Sequence, residues 1–259
     1  MTKKNESLVK YDAELAALAE AAAAQEIGVG GGLFFSTKSG TLSLNGSPLP
    51  EDQMAVVIVD SILENAYYTE AFDADNPSSP VCYAFGRDPE EMAPHEEAED
   101  KQSDHCAGCE KNEFGSADRG KGKACGNRRR VACIPAGTLA KDGTFEAFED
   151  PDAFAKAQVA YLKLAPTSIG AYAQYVKMLA TMKKPPFSVF TKIALVEDEK
   201  TMFKTTFELL EPVPAELIPV LIDRHKAEME NIEFPYAKIE APAKGRGKSR
   251  TPQKRNRKY

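Results

Sequence analysis

The sequence predicts a mainly β protein with helices, an α+β fold in which a small β-barrel carries a cysteine-rich insert. Roughly five to seven strand-like runs lie within 33–85, 128–134 and 187–210. Helical patterns come between and after these runs, and no Gly-rich nucleotide loop of the Walker or dinucleotide type is present. This order favours a closed or partly open barrel over a doubly wound sheet.

The 259-residue chain is long enough for one large core or two small ones, and its 42% hydrophobic content is ordinary for a globular protein. No stretch of about 18 uncharged apolar residues occurs, so we expect no membrane partner. Residues 1–25 begin with lysines but are interrupted by acids, which is typical of a capped helix and not of a signal peptide. We therefore expect a cytoplasmic protein whose five cysteines act as thiols or metal ligands rather than disulfides.

Charge is unevenly distributed, although the net charge is only −6. Residues 244–258 contain eight Lys or Arg and no acid, whereas residues 88–100 contain seven carboxylates. Locally sorted charge allows an acidic protein to bind nucleic acid through its basic faces. The predicted organisation is an N-terminal helix and glycine linker (1–32), a barrel domain (33–240) with the insert at 82–130, and a basic disordered tail (241–259).

Strand patterns dominate the first half of the chain. An alanine-rich helix at 10–26 ends at the GVGGG of 28–32, which works as a flexible joint. Two short β-like runs follow around a Lys-Ser-Gly turn at 33–46. The run at 53–72 starts with β-branched residues whose number suits a buried strand, and 81–87 forms a further strand just before the acidic run.

Helices and strands alternate in the second half. The predicted elements, in order, are a strand at 128–137, helices at 150–164 and 167–182, a hairpin at 183–210 around the polar turn EDEK, and a helix at 212–231. We expect Thr167 or Ser168 to cap the second of these helices. The rest of the chain is rich in Pro, Gly and basic residues and is predicted to be disordered unless bound.

Four cysteines have the spacing of a metal-ligand set. The pattern C-x23-C-x2-C-x15-C is formed by Cys82, Cys106, Cys109 and Cys125. A Cys-x2-Cys pair lets two thiolates reach one ion from a tight turn, which Gly108 eases. The two other cysteines lie at the edges of strand-like segments and complete the tetrahedral thiolate shell that structural zinc prefers. The sequence therefore predicts a closed Zn²⁺ site that pins the insert to the barrel.

Other uses of these residues stay open. A thioredoxin-like redox pair at CAGC lacks a surrounding βαβ pattern, and an iron–sulfur cluster shares the ligand count but is less common in binding modules. Cys133 could replace Cys125, although its apolar context favours a buried free thiol, and His105 or His95 could substitute as a ligand. A catalytic zinc needs an open position and a nearby general base, for which there is no motif, so we expect no enzyme.

Cations surround the cysteines and predict a nucleic-acid surface. Residues 111–130 contain seven Lys or Arg and only two acids. Glycines let the backbone approach a phosphate closely, and an aromatic ring offers a stacking surface. The alternative is that the cations only balance the negative charge that zinc held by four thiolates retains. The predicted contacts are Lys111, Phe114, Arg119, Lys121, Lys123, Arg128, Arg129 and Arg130.

Strand aromatics and one further lysine extend this predicted surface. Tyr67 and Tyr83 lie on strand-like segments, where single-strand binders place the rings that stack on bases, although such aromatics also serve as core. Lys192 extends a basic groove or only solubilises an edge strand. Because consecutive residues of a strand point to opposite faces, we expect at least one residue of the Arg128–Arg130 triplet to pair with an acid of the protein.

Three segments resemble a group of proteins encoded by tailed bacteriophages. These segments are PVCYAF (80–85), CAGCEKNEFGSA (106–117) and GKGKACGNRRR (120–130). They match a shared pattern of P-x-C-[FY]-A, C-x-x-C-x-x-N-x-[FW]-G-S and G-[KR]-G-K-x-C-x-x-x-R-R. The likeness extends to the flanking strands and the later hairpin, over residues 33–210. It implies a phage protein of DNA metabolism, acting in the host cytoplasm.

A more distant likeness is to the zinc-containing helix-destabilising proteins of T-even phages, which carry an oligonucleotide-binding (OB) barrel with an inserted zinc subdomain. It implies an OB-like β-barrel with such an insert, zinc as the cofactor, and single-stranded DNA as the partner. The chain departs from that group in two ways. Cys82 and Cys125 flank the CxxC pair here, where that group has a histidine before it, and the tail is basic where many phage single-strand binders end in acids.

We therefore expect a phage single-stranded DNA-binding protein of DNA replication and recombination, with low sequence specificity. The alternative is a zinc-knuckle adaptor that binds a replisome or host polymerase protein, because the acidic run 88–100 would oppose DNA close to the site. A nuclease is a third class, but the carboxylates are scattered and form no credible catalytic cluster.

Overall fold

The structure, a computed structural model, describes residues 33–70, 78–118 and 120–237. The predicted N-terminal helix and linker, the basic tail and Arg119 lie outside the described residues. In the described ranges the protein is mainly β with helices, as predicted, and its main sheet curls into a half-barrel. No helix of these ranges is both long and apolar enough to cross a membrane.

Eleven strands and three α-helices lie in the described ranges. The strands are β1 (Leu33–Ser36), β2 (Ser43–Leu44), β3 (Ser47–Pro48), β4 (Gln53–Tyr67), β5 (Cys82–Gly86), β6 (Cys125–Pro135), β7 (Gly137–Leu139), β8 (Phe145–Ala147), β9 (Ala160–Leu164), β10 (Val189–Asp198) and β11 (Met202–Pro212). The helices are α1 (Pro151–Lys156), α2 (Pro166–Thr181) and α3 (Ile218–Asn231). The main sheet has the order β11-β10-β4-β6-β9-β1-β2-β3, with β5 also paired to β4, while β7 and β8 form a separate pair.

The sheet is organised on β4. One edge of β4 pairs antiparallel with β6 from Val56 to Tyr67. The other edge is shared, since β10 pairs with residues 53–56 and β5 with residues 63–67. The run 55–59 is buried throughout, which explains why the sequence there is continuously apolar instead of alternating.

Two apolar cores lie on opposite faces of the sheet. The core beneath α3 includes Val57 of β4 and Leu221 of the helix. The core beneath α2 includes Ile58 of β4 and Leu179 of the helix. Cys133 is buried in this second core, in agreement with its apolar sequence context.

The prediction of one helix over 150–164 is wrong in its second half. α1 ends at Lys156, and residues 160–164 form β9, which pairs with both β6 and β1. A strand that lies inside a sheet and is buried on both faces shows no polar alternation. Its sequence pattern therefore cannot be distinguished from that of a buried helix.

Most other predicted elements are confirmed. The hairpin forms as β10 and β11, and the late helix forms as α3. The strand predicted at 128–137 forms as β6, which begins earlier, at Cys125, and ends at Pro135. The predicted cap of α2 is wrong, because this helix begins at Pro166 without a side-chain cap. The hydroxyl of Ser168 instead accepts a hydrogen bond from the backbone N–H of Thr205 at 3.0 Å.

A buried ion cluster joins the sheet to the segment after α3. Arg130 is 1% exposed, and its Nε donates to Glu64 of β4 at 2.6 Å. Its Nη1 donates to the carbonyls of Ile232 and Phe234, and its guanidinium lies 4.3 and 4.1 Å from the ring centroids of Phe85 and Phe234. Arg130 is therefore corrected from a nucleic-acid contact to a core residue. The expectation that the arginine triplet includes an internal ion pair is confirmed.

The carboxylate at the centre of this cluster is fully buried. Glu64 accepts from Arg130, lies 2.9 Å from Nζ of Lys163, and accepts a hydrogen bond from the hydroxyl of Tyr236. Burial raises the pKa of Glu64, but the charges of Lys163 and Arg130 outweigh burial, so the pKa lies below its ordinary value of 4.5. Glu64 is therefore ionised at neutral pH.

We predict that Glu64→Gln destabilises the protein by about 3–5 kcal/mol, because it leaves the charge of Arg130 buried without a counter-ion. The matched control is Glu208→Gln, which removes a 67% exposed carboxylate from its ion pair with Lys192. This control should change stability by less than about 1 kcal/mol. Urea unfolding at pH 7 measures both free energies.

The same pair of variants tests the pH dependence. Because the pKa of Glu64 is lowered in the fold, its contribution is present above about pH 4.5 and is lost as the pH falls toward the folded-state value. Glu64→Gln should flatten the acid side of the stability profile, and Glu208→Gln should not. A Glu64→Gln variant as stable as the wild type would contradict the stabilising role of the cluster.

Candidate functional site

The register of the sheet brings two of the four predicted ligand cysteines to the same end of β4. Tyr67, the last residue of β4, lies opposite Cys82 of β5 on one side and Cys125 of β6 on the other. Residues directly opposite each other in antiparallel strands point to the same face. Both thiols therefore leave one face of the sheet at the same level, at the end of β4.

The segment between β5 and β6 brings back the other two cysteines. It is tied to the outer edge of β5, where the N–H of His95 donates to the carbonyl of Tyr83 at 2.8 Å. The N–H of Cys106 then donates to the carbonyl of Met92 at 2.8 Å. The CAGC turn that follows has Gly108 at φ 75°, in the left-handed region that favours glycine, as the sequence predicted.

The four thiols line one small cavity of about 20 Å³. A space of this size holds a single water molecule or ion. Its lining includes Cys82, Cys106, Cys109, Cys125, His105, Asn65 and Tyr67. The ring of His95 instead stacks on Tyr83 at 5.1 Å, and Cys133 lies in the core beneath α2, so the arrangement does not favour either as a substitute ligand.

Burial and mutual repulsion disfavour thiolates in this cavity. Burial raises the pKa of Cys125 to about 12, and the neighbouring cysteines add to the effect. The pKa values of Cys82 and Cys106 are also raised, first of all by burial. These three thiols therefore hold their protons at neutral pH, and the binding of a metal cation would displace these protons. In the described parts of the chain, no set of three or more His, Cys, Asp or Glu side chains already has the arrangement of a metal site.

Three asparagines fix the insert beside the cavity, and the sequence analysis did not single them out. Asn112 donates to the carbonyl of Cys106 at 2.9 Å and accepts from Lys123 at 3.2 Å and from Asn127 at 2.9 Å. Asn127 also donates to Asn65 of β4 at 2.7 Å. Asn112 and Asn127 each lie within three residues of a predicted ligand cysteine, which is the signal that could have identified them.

Two lysine–ring pairs lie beside the cysteines. Nζ of Lys111 is 5.3 Å from the ring centroid of Tyr67, which itself lines the cavity. Nζ of Lys123 is 5.1 Å from the ring centroid of Phe114. Phe114 is 83% exposed, so its ring is open to a planar partner. These pairs bring together four of the predicted nucleic-acid contacts.

The other described cations of the predicted surface lie in different environments. Lys121 and Arg128 are exposed. Arg129 is half-buried, where its Nη1 donates to the hydroxyl of Ser61 at 3.1 Å and its guanidinium lies 5.6 Å from the ring centroid of Tyr172. It therefore belongs to the space beside α2 and not to the insert.

Two further predicted contacts do not belong to the exposed surface around the cysteines. Tyr83 is buried in the core beneath α3 and is corrected to a core aromatic. Lys192 pairs with Glu208 at 3.5 Å and lies opposite Ala55, near the far end of β4. At a rise of about 3.3 Å per residue this position is roughly 40 Å from Tyr67. Lys192 is therefore not continuous with the surface around the cysteines.

Comparison of the chain with protein-family models, with curated proteins and with solved structures finds no match. The function of the site therefore has to be inferred from its own geometry and from the sequence motifs.

We predict that Asn112→Ala loosens the insert by about 1–3 kcal/mol, because it leaves the hydrogen-bonding groups around it without their partner. Amide hydrogen exchange of residues 106–124 should become faster, while that of 131–134 in β6 should not change. Asn231→Ala is the matched control, since it removes a single bond to the carbonyl of Ala227 at the end of α3. Unchanged protection of the insert in Asn112→Ala would show that other contacts hold it.

Proposed function

We propose that this protein binds single-stranded DNA with little sequence preference, through the surface around the cysteine cavity. The observation that carries the proposal is the pairing of Phe114 with Lys123 and of Tyr67 with Lys111 beside that cavity. Rings stack on any base, and lysines neutralise phosphates whatever the sequence. This combination is the one that sequence-tolerant single-strand binders use.

We also propose that Zn²⁺ binds in the cavity, held by the thiolates of Cys82, Cys106, Cys109 and Cys125. Four thiolates are a donor set of structural zinc, and the volume of the cavity fits one ion. The ion would tie the ends of β5 and β6 to the insert, which has little regular secondary structure of its own. The cations of the neighbouring lysine–ring pairs offset the negative charge of such a site.

The fold is in keeping with this function. The curled half-barrel with helices is consistent with an OB-like barrel, a fold whose open face and loops bind oligonucleotides. Together with the motif resemblance, this supports a phage protein of DNA replication or recombination in the host cytoplasm. Fold alone does not assign an activity, so the proposal depends on the surface described above.

We predict one zinc ion per chain, by elemental analysis of protein purified without added metal. Cys106→Ser should lose the ion, because it removes one thiolate of the set. Cys133→Ala is the matched control and should keep it, since Cys133 is buried away from the cavity. In cobalt-loaded protein, the thiolate-to-metal absorbance band should persist only in the control. Metal-free wild type, or equal loss in both variants, would contradict the proposed site.

Fluorescence anisotropy with a labelled oligothymidylate, measured over a salt series, tests DNA binding. Phe114→Ala should weaken DNA binding by about 1–3 kcal/mol through lost stacking. Lys123→Ala should reduce the slope of log affinity against log salt concentration by about one. The matched controls are Phe148→Ala, which removes a 41% exposed ring, and Lys226→Ala, which removes an exposed cation of α3. No binding at low salt, or equal losses in the controls, would overturn the proposal.

A zinc-knuckle adaptor for a replication or transcription protein is the second candidate function. All seven carboxylates of the acidic run 88–100 are exposed, and Pro94 of this run lines the cysteine cavity. Such a surface repels DNA and attracts a basic protein partner. Co-purification of a host or phage protein without nucleic acid, together with no oligonucleotide binding at low salt, would favour this candidate.

A further inference from the structure

A second, larger cavity lies where the edge of β4 is left open. β10 pairs with β4 up to Val56, and β5 pairs with it from Leu63 onward. Between these two partners the ladder with β6 is interrupted by a bulge at Val59. The carbonyl of Val59 is 2.7 Å from Nδ1 of His225, which belongs to α3. Bulges of this kind are common beside functional sites because they re-aim side chains and end strand pairing.

The cavity has a volume of about 430 Å³, within the range of small-molecule sites. One wall is a single face of α2, from Ile169 to Lys177, and another is the turn Pro185–Phe187. Apolar side chains form most of these walls. The polar groups that converge on the cavity are Asp60, Ser61, Arg87, Arg129, Tyr172, Lys177 and His225.

The charge of this lining is positive. Its one acid, Asp60, is already paired, since both of its oxygens accept from Arg87, at 2.6 and 3.1 Å. Among the described residues, neither Arg129 nor Lys177 has a carboxylate within ion-pair distance. The half-buried guanidinium of Arg129 donates to the hydroxyl of Ser61 and lies over the ring of Tyr172. The excess positive charge of this lining favours an anionic ligand.

Flat ring surfaces also line this cavity. The ring of Phe187 stacks on that of His225, with centroids 4.8 Å apart and planes at 25°. Tyr172 is held by a hydrogen bond from its hydroxyl to Ser61 at 3.0 Å, so its ring position is fixed. A guanidinium, a lysine and aromatic rings that line one cavity are the groups that recognise a phosphate joined to a planar base.

We propose that this cavity binds a nucleotide, with the phosphate at Arg129 and Lys177 and the base against Phe187 and His225. Arg87 neutralises Asp60 and so prevents it from repelling the phosphate. The nucleotide is either free or one unit of a bound strand, because both present the same chemistry. The cavity shares no residue with the proposed thiol site, so the inference goes beyond the DNA-binding function proposed above and does not rest on it.

Calorimetric titration of the full chain at low salt tests the inference, with dAMP and dTMP as probes. Both should bind, and deoxyadenosine and inorganic phosphate should each bind at least roughly tenfold more weakly, because each lacks half of the recognised group. Arg129→Gln and Lys177→Gln should each lower the affinity for dAMP by roughly tenfold, because each removes one charge-assisted contact. Lys177 lies exposed on α2, so its variant keeps the test valid if Arg129→Gln folds poorly.

Lys226→Gln is the matched control, since it removes an exposed cation of α3 outside the cavity, and it should leave the dAMP affinity unchanged. Absence of dAMP and dTMP binding, or unchanged affinity in Lys177→Gln, would overturn the inference. An oligothymidylate that displaces dAMP identifies a strand as the source of the nucleotide, whereas simultaneous binding identifies a free nucleotide. Nucleotide affinity that is unchanged in Phe114→Ala, while DNA affinity falls, separates this cavity from the insert surface.

Discussion

The antiparallel ladder between β4 and β6 positions the buried ion cluster, the arginine triplet and the thiol of Cys125. β6 carries three arginines in a row, and the strand period of two sends Arg129 to one face and its two neighbours to the other. Arg130 enters the core beneath α3, where Glu64 of β4 is its diagonal neighbour across the ladder. Arg128 stays exposed, and Arg129 enters the cavity beside α2. One short run of identical residues therefore lies in three separate environments.

The bulge at Val59 is the second constraint, because a shift of one residue moves every later side chain of a strand to the other face. Beyond this bulge, Ser61 and Tyr67 lie on the face of the thiols, and Glu64 lies on the face of α3. A strand without the extra residue would direct the Glu64 carboxylate away from Arg130. The same irregularity leaves the edge of β4 open where the larger cavity forms. Core stability and cavity geometry are thus set by one backbone feature.

Sequence patterns identified the elements whose chemistry is local. The hairpin of β10 and β11 has a polar turn between β-branched runs, and the CAGC turn has glycine where the backbone is left-handed. The patterns failed where partners are distant in sequence. β9 has a helix-like pattern because it is buried between two strands. Arg130 is a core residue because it pairs with Glu64, and this partner could not be identified from local sequence because it lies 66 positions away. No local spacing encodes such pairings.

For the candidate site too, features encoded by local spacing could be predicted, and features that depend on strand pairing could not. The ligand-like spacing of the four cysteines predicted that their side chains come together at one site, and the structure places them around one cavity. The asparagine bonds and the opening in the edge of β4 depend on strand register, which the motif does not contain. Ser61 and Tyr67, which mark the two cavities, share a face of β4 and lie six residues apart, or roughly 20 Å at the rise of a strand. A single-stranded DNA bound at the insert, as proposed, would span this distance with only a few nucleotides, so the proposed nucleotide cavity at Arg129 lies within reach of the same polyanion.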